Sequence, residues 1–277
     1  MGIFFVTLPF SRYWHIPTEV LLIFFRHFGI TPQKVTTSFT EVEIGACSRC
    51  GVCIDVCQLG SAAHIHDIQA VNFLRSVRDE QVNRDIVLRC LVCGRCQETC
   101  PVGINADNIR LIERNKFSGS HDSDFSYLTA DIPRQASVLY FAGCMTHLTP
   151  AIIRAMEGIL KHAGVDYLFI DKKGTVCCGR PMMLSGKYEQ TEKLVLFNRE
   201  LILRSGAHTL VTSCPICFRV FMEEYKLPVR VMHHSQFLLE LIKTGKIPLQ
   251  AYHRKVAYHA PATWGEEVGN ATHPGSC

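Results

Sequence analysis

The chain has 277 residues, 47% apolar and 19% charged, enough to bury one large core or two ordinary ones and too apolar for a disordered polypeptide. Its net charge of +4 comes from 29 basic and 25 acidic residues with no dense basic run, which argues against a nucleic-acid partner. What sets the composition apart is 14 cysteines.

The first residues are apolar, yet the strongest run, Val20 to Phe25, is far short of the roughly 20 residues a membrane span needs. Phe4, Phe5, Leu8, Phe10, Leu21, Leu22, Phe24 and Phe25 suit either a docking surface for a partner or a cover for the domain that follows. With no basic segment and no small-residue cleavage site, a cytoplasmic location is expected. Thiols stay reduced there, and dense cysteines are metal ligands more often than disulfides.

Cys47, Cys50, Cys53 and Cys57 form a C-x2-C-x2-C-x3-C run, and Cys90, Cys93, Cys96 and Cys100 repeat it. Two-residue gaps let three thiolates converge from one tight loop onto three corners of an iron–sulfur cube, while the fourth points to a second cube. By that rule one 4Fe–4S cubane takes Cys47, Cys50, Cys53 and Cys100, and the other takes Cys90, Cys93, Cys96 and Cys57. Zinc also uses C-x2-C pairs, but a duplicated run with crossed partners is of no use to it. Pro101 follows the second run, whereas Gln58 follows the first; a proline there directs the chain and is not a ligand. His64 and His66 are not needed, because both cubes are complete.

Between the runs Ile65, Ile68, Val71, Leu74 and Val77 recur at near-helical intervals, and Asn105 to Phe117 reads as another helix. The predicted first domain, residues 1–117, is therefore helical, and 118–135 is a polar, turn-rich linker. From 136 to 277 the rhythm is α/β. Strands are expected at Val138 to Ala142, Tyr167 to Ile170, Thr209 to Thr212, Val229 to Met232 and Lys255 to Tyr258. Helices are expected at Pro150 to His162, Glu189 to Arg204, from Cys214 onward, and at Gln236 to Ile242. Such alternation implies a parallel sheet, so the fold class is α + α/β. Ligands of parallel sheets gather at the carboxyl ends of the strands, where Cys144 and Cys214 fall.

Cys144, the pair Cys177-Cys178 before Gly179, and Cys214-x2-Cys217 resemble the cysteine-rich CCG domain, as do Phe141-Ala-Gly-Cys144 and Val231-Met-His233. Joined to a two-cluster module, the arrangement resembles heterodisulfide reductase, which has the cubes on its C subunit, the CCG domains on its B subunit and both fused in its D subunit. The iron–sulfur subunits of glycolate oxidase and anaerobic glycerol-3-phosphate dehydrogenase share this layout. The resemblance implies that Cys144, Cys177, Cys178, Cys214 and Cys217 hold a non-cubane 4Fe–4S cluster at which a disulfide is cleaved. Other CCG domains hold a cubane or zinc, and those readings stay open. These families carry two CCG repeats. Lys255-Val-Ala-Tyr-His-Ala-Pro-Ala262-Thr-Trp-Gly265 resembles the start of a second, with Ala262 in place of its lone cysteine; a truncated second repeat is expected, its missing half supplied by a partner or not needed. His233 and His259 are candidate proton donors with a structural role as the alternative, and Cys277 reads as a free thiol.

The leading expectation is an oxidoreductase subunit that passes electrons through two cubanes to the CCG cluster, where a disulfide or thiol-level substrate is reduced. The alternative is a pure conduit between a dehydrogenase subunit and a quinone or membrane partner. A non-redox structural or sensory cluster protein is the third. No flavin or nucleotide fingerprint is present, so other redox subunits, flavin- or quinone-linked, are expected to supply electrons. One of them would place the chain peripherally at a membrane.

Overall fold

The computed structural model describes residues 12–30, 37–118, 134–174, 176–250 and 255. Chain contacts divide it into two units, Met1–His121 with Met183–Tyr188, and Asp122–Met182 with Glu189–Cys277.

The first unit is helical: α1 His15–His27, α2 Thr37–Gly45, α3 Val52–Asp55, α4 Gln58–Ala63, α5 Ala70–Arg78, α6 Arg84–Leu88, α7 Arg95–Glu98 and α8 Ala106–Phe117. Its core joins Leu22 of α1, Phe73 and Leu74 of α5, Val87 of α6 and Ile109 of α8 to Ala46, Val102 and Ile104 from the cysteine loops. The helix expected from Ile65 starts instead at Ala70. His64 takes a left-handed φ of 54° and ends α4, and the buried Gln69 donates to the Ile65 carbonyl at 3.5 Å, which holds 65–69 as a turn. Ile68 is buried all the same. Side chains cap the later helices, Asn83 Oδ1 accepting from Ile86 N at 2.8 Å and Asn105 Oδ1 from Asn108 N at 2.9 Å. Of the apolar N-terminal residues, Leu22 is in the core, whereas Leu21 and Phe24 stay exposed beside Ile16, Val20 and Ile23. Phe4, Phe5, Leu8 and Phe10 lie outside the described residues.

The second unit is α/β. Its elements are β1 Val138–Phe141, α9 Cys144–His147, α10 Pro150–His162, β2 Tyr167–Phe169, α11 Arg180–Leu184, α12 Tyr188–Arg204, β3 Thr209–Thr212, α13 Pro215–Glu223, β4 Arg230–His233 and α14 His234–Lys243. The strands form one parallel sheet in the order β2-β1-β3-β4, with Val138 opposite Tyr167 and Thr209, and Thr209 opposite Arg230. The central strands β1 and β3 are buried along their whole length, as expected inside a parallel sheet. Val138, Tyr140, Ala142, Val211 and Met232 pack with Met156 and Leu160 of α10 and with Phe237 and Leu241 of α14. On the opposite face the Phe141 ring meets Phe221 of α13 edge-on at 5.0 Å. The strand expected at Lys255 to Tyr258 lies, apart from Lys255, outside the described residues, as do Ala262, His259 and Cys277.

The chain leaves β1 toward β2 on one side and returns to β3 on the other, so the carboxyl ends of β1 and β3 flank the topological switch point. No helix among the described residues is long and apolar enough to cross a membrane.

Leu160 is fully buried at the centre of the second core. Leu160→Ala is expected to lower unfolding stability by about 2–5 kcal/mol, read from urea denaturation followed by far-ultraviolet circular dichroism.

Candidate metal centres

The two cysteine runs fold into loops of matching backbone. Arg49 and Val92 take left-handed φ angles of 60° and 51°, and Gly51 and Gly94 follow at 86° and 83°. Each loop then enters a single helical turn, α3 or α7. For a β-branched valine this conformation is unfavourable, and the loop accepts it because it turns an amide onto sulfur. Val92 N–H donates to Cys90 Sγ at 3.4 Å, and the Arg49 amide does the same for Cys47.

Two clefts open beside these loops. The first, about 510 Å³ and open on one side, is lined by Cys47, Cys50, Cys53 and Cys100 with the apolar Ala70, Val71, Leu74, Val102 and Ile104. The second, about 420 Å³, is lined by Cys90, Cys93, Cys96 and Cys57 with Leu59, Ile68, Asp107 and Arg110. Each run thus sends its last cysteine to the other run's cleft, and Cys53, Ala70 and Cys96 line both. Cys50 and Cys93 are exposed and the other six half-buried. Burial pushes the thiols of Cys47, Cys53 and Cys90 up from their ordinary range. Burial, then Asp107, takes Cys96 up to about 12. A dry, cysteine-walled cleft with amides aimed at sulfur suits an iron–sulfur group, whose irons would supply the positive charge that keeps these sulfurs ionised.

The third set meets at the switch point. Cys144 opens α9 just past β1, and Cys214 caps α13 just past β3 with Pro215 in the first turn. Cys178 exchanges hydrogen bonds with Cys177 and Cys217, and Cys217 with Cys214. Cys178, Cys214 and Cys217 are buried, and Cys144 is exposed at the mouth. Thiol donation and the Arg180 amide hold Cys178 well below the ordinary thiol range. Cys214, facing the Cys217 thiol and the amides of Cys217 and Ile216, drops to about 7. A lowered thiol pKa favours the thiolate, the form in which cysteine binds metal. Cys177 and Cys217, the donors of that chain, are pushed up.

Sequence reasoning missed the residues that hold this centre together. Gly143, at φ 87°, lies against it; a Cβ there would stand 2.7 Å from Cys214 Cβ and 3.0 Å from Cys217 Sγ. Asp171, wholly buried just beyond β2, accepts the amides of Ala142 and Gly143 at 2.8 Å each, with His147 Nε2 at 3.4 Å from its Oδ2. Burial raises its carboxyl pKa despite these donors. Asn198 of α12 donates to the Cys177 carbonyl at 2.7 Å, and the Tyr225 hydroxyl to the Cys178 carbonyl at 3.0 Å. Only Gly143, inside Phe141-Ala-Gly-Cys144, carried a readable signal; Asp171, Asn198 and Tyr225 are ordinary residues made important by where the sheet puts them. His233 is the N-cap of α14, bonded to Ser235 Oγ at 2.8 Å, with Gln236 completing a capping box. His64 and His66 are exposed. Among the described residues no three His, Cys, Asp or Glu side chains are grouped closely enough for a single metal ion.

The helical unit matches the family model of a 4Fe-4S dicluster domain over residues 43–104, supporting two 4Fe–4S clusters, and the α/β unit matches that of the cysteine-rich domain CCG over 138–222. The chain resembles the D subunit of dihydromethanophenazine:CoB–CoM heterodisulfide reductase. It is 25% identical to the Methanosarcina barkeri protein over 256 residues, 86% of this chain and 58% of that one. To the Methanosarcina mazei protein it is 26% identical over 259 residues, 87% and 58%. The B subunit of the fumarate reductase (CoM/CoB) of Methanothermobacter marburgensis is 25% identical over 200 residues, 62% and 40%. The chain spans little more than half the length of the two heterodisulfide reductase relatives. No solved structure matches it significantly.

Gly143→Val is expected to force Cys214 and Cys217 apart and abolish metal binding at the third site while the cysteine runs keep theirs. Iron analysis of the purified variant, beside the unchanged protein, checks this.

Proposed function

We propose that the chain is the electron-transfer subunit of an oxidoreductase complex, holding one 4Fe–4S cubane by Cys47, Cys50, Cys53 and Cys100 and another by Cys90, Cys93, Cys96 and Cys57. Cys144, Cys177, Cys178, Cys214 and Cys217 would hold a third iron–sulfur cluster, non-cubane, and form the catalytic site. When bound, these groups supply one-electron transfer at low potential. The convergence of five cysteines from three separate stretches of the chain beside the carboxyl ends of β1 and β3 is the observation that carries this reading. The Methanosarcina relatives, named for a heterodisulfide reductase, support a disulfide as substrate. Two electrons and two protons convert a disulfide to two thiols.

The roles proposed for the chain are then specific. Asp171 fixes the loop that presents Cys144, the exposed sulfur through which a substrate would approach. Asn198 and Tyr225 pin the Cys177 and Cys178 carbonyls. The apolar walls of the two clefts exclude water. Electrons are supplied by a flavin- or quinone-linked partner subunit, and the chain is placed in the cytoplasm, peripheral to a membrane where that partner is embedded. We propose residues 1–117 and 136–277 as the functional domains.

A second reading, a conduit without its own substrate, draws support from the exposed Ile16, Val20, Ile23 and Phe24 of α1, an apolar face suited to a partner subunit. Disulfide turnover separates these two readings, and iron analysis with electron paramagnetic resonance tests the third cluster that both require. About twelve irons per chain, with a signal that responds to added thiol, are expected for the reductase, against about eight for a dicluster protein alone. Cys177→Ser or Cys178→Ser should abolish the thiol-responsive signal and spare the other two clusters. Full iron content with no reduction of any disulfide by reduced viologen would instead favour the conduit.

A further inference from the structure

The two clefts of the first unit are near copies in backbone but differ in charge. Around the Cys47 cleft the charges lie toward water: Arg49 and Arg78 are exposed and Glu19 is half-buried at the lining. The nearby buried carboxylate, Glu43, is bound to the Asn105 amide at 3.0 Å and faces Arg26.

Around the Cys90 cleft the cations are inside. Arg110 of α8 is 2% exposed and lines the cleft. Its Nη2 donates to the Ile68 carbonyl at 2.8 Å, its Nη1 to the Ile86 carbonyl, and its guanidinium lies 3.9 Å above the Phe73 ring. One turn on, Arg114 is 6% exposed and donates to the carbonyls of Val87 at 3.0 Å and Cys90 at 2.6 Å. Both cations act on Cys90, and Arg110 also on Cys96 and Cys57. Against them stands Asp107, whose Oδ1 is 4.0 Å from Cys96 Sγ. Arg95 lies at the exposed rim.

Carbonyl bonds orient Arg110 without neutralising it, and burial keeps water and salt from screening it. A buried charge is costly unless something of opposite sign repays it; here that would be the four sulfurs once a cluster keeps them ionised, beside the Asp107 carboxylate. Reducing a cluster adds one negative charge. A fixed cation in the wall stabilises the reduced form and raises the potential, while a carboxylate lowers it.

Building on the dicluster reading, we propose that Arg110, supported by Arg114 and opposed by Asp107, sets the potential of the cluster held by Cys57, Cys90, Cys93 and Cys96 above that of its neighbour. The second cleft then holds the electron, and the first receives it and passes it on. Arg110 acts through its charge on the ligand set, as a tuning residue.

The test is a redox titration followed by electron paramagnetic resonance on the full chain, anaerobically loaded with iron and sulfide. Cys50→Ser and Cys93→Ser first assign each potential to its cleft. Arg110→Gln should then lower the Cys93-linked potential, Arg110→Lys should hold it near the starting value, and Asp107→Asn should raise it, with the Cys50-linked potential unmoved throughout. Should Arg110→Gln fail to retain iron, Asp107→Asn and Arg110→Lys decide, because Asp107 is only half-buried and lysine keeps the charge. A Cys93-linked potential that stays put or falls in Asp107→Asn overturns the proposal, as does a starting order with the Cys50-linked potential higher. A chain that binds no pair of 4Fe–4S clusters overturns the dicluster reading and this proposal together; two clusters with unmoved potentials overturn this proposal alone.

Discussion

The architecture depends on one recurring interaction, a backbone amide donated to a cysteine sulfur two residues earlier. Arg49 serves Cys47 and Val92 serves Cys90, and Gly179, Arg180 and Ile216 serve Cys177, Cys178 and Cys214. Each such bond needs a turn immediately after the cysteine. In the first unit the turn is a left-handed residue, as it is at Gly179 in the second, where Arg180 and Ile216 instead lie in the first turns of helices. Two unrelated folds meet the same demand, a donor aimed at a cysteine sulfur, with the group that every residue but proline carries.

Around those turns the units differ in how they bring sulfurs together. The helical unit packs two copies of one loop against a shared core of Leu22, Phe73, Leu74 and Ile109. The α/β unit takes its cysteines from three places in the chain and relies on β1 and β3 lying side by side. Asp171 then ties the end of β2 to the loop after β1, so three adjacent strands contribute to one centre.

Much of this was legible in the sequence because its signals were local. Apolar stretches ending at Cys144 and Cys214 anticipated both strands and their common end. The helix placed from Ile65 was wrong because periodicity alone cannot see His64 turning left-handed or Gln69 folding back on Ile65. Arg110 was invisible for a different reason. A basic residue on a helix reads as solvent-facing, and only the carbonyls of Ile68 and Ile86, far away in sequence, hold it inside. Asp171 and Asn198 escaped for the same reason, since polar groups satisfied by distant backbone leave no pattern along the chain.

The exchange of last cysteines between the two loops bears on biogenesis. Neither cleft can be walled by its own stretch of polypeptide, since Cys57 is separated from Cys90 by α4, α5 and α6. With the ligands proposed above, a nascent chain that has emerged only as far as the first loop would offer an incomplete coordination shell until the later loop docks. On the proposed ligand assignment, each inorganic core would need both loops, and the insertion of one would be coupled to that of the other.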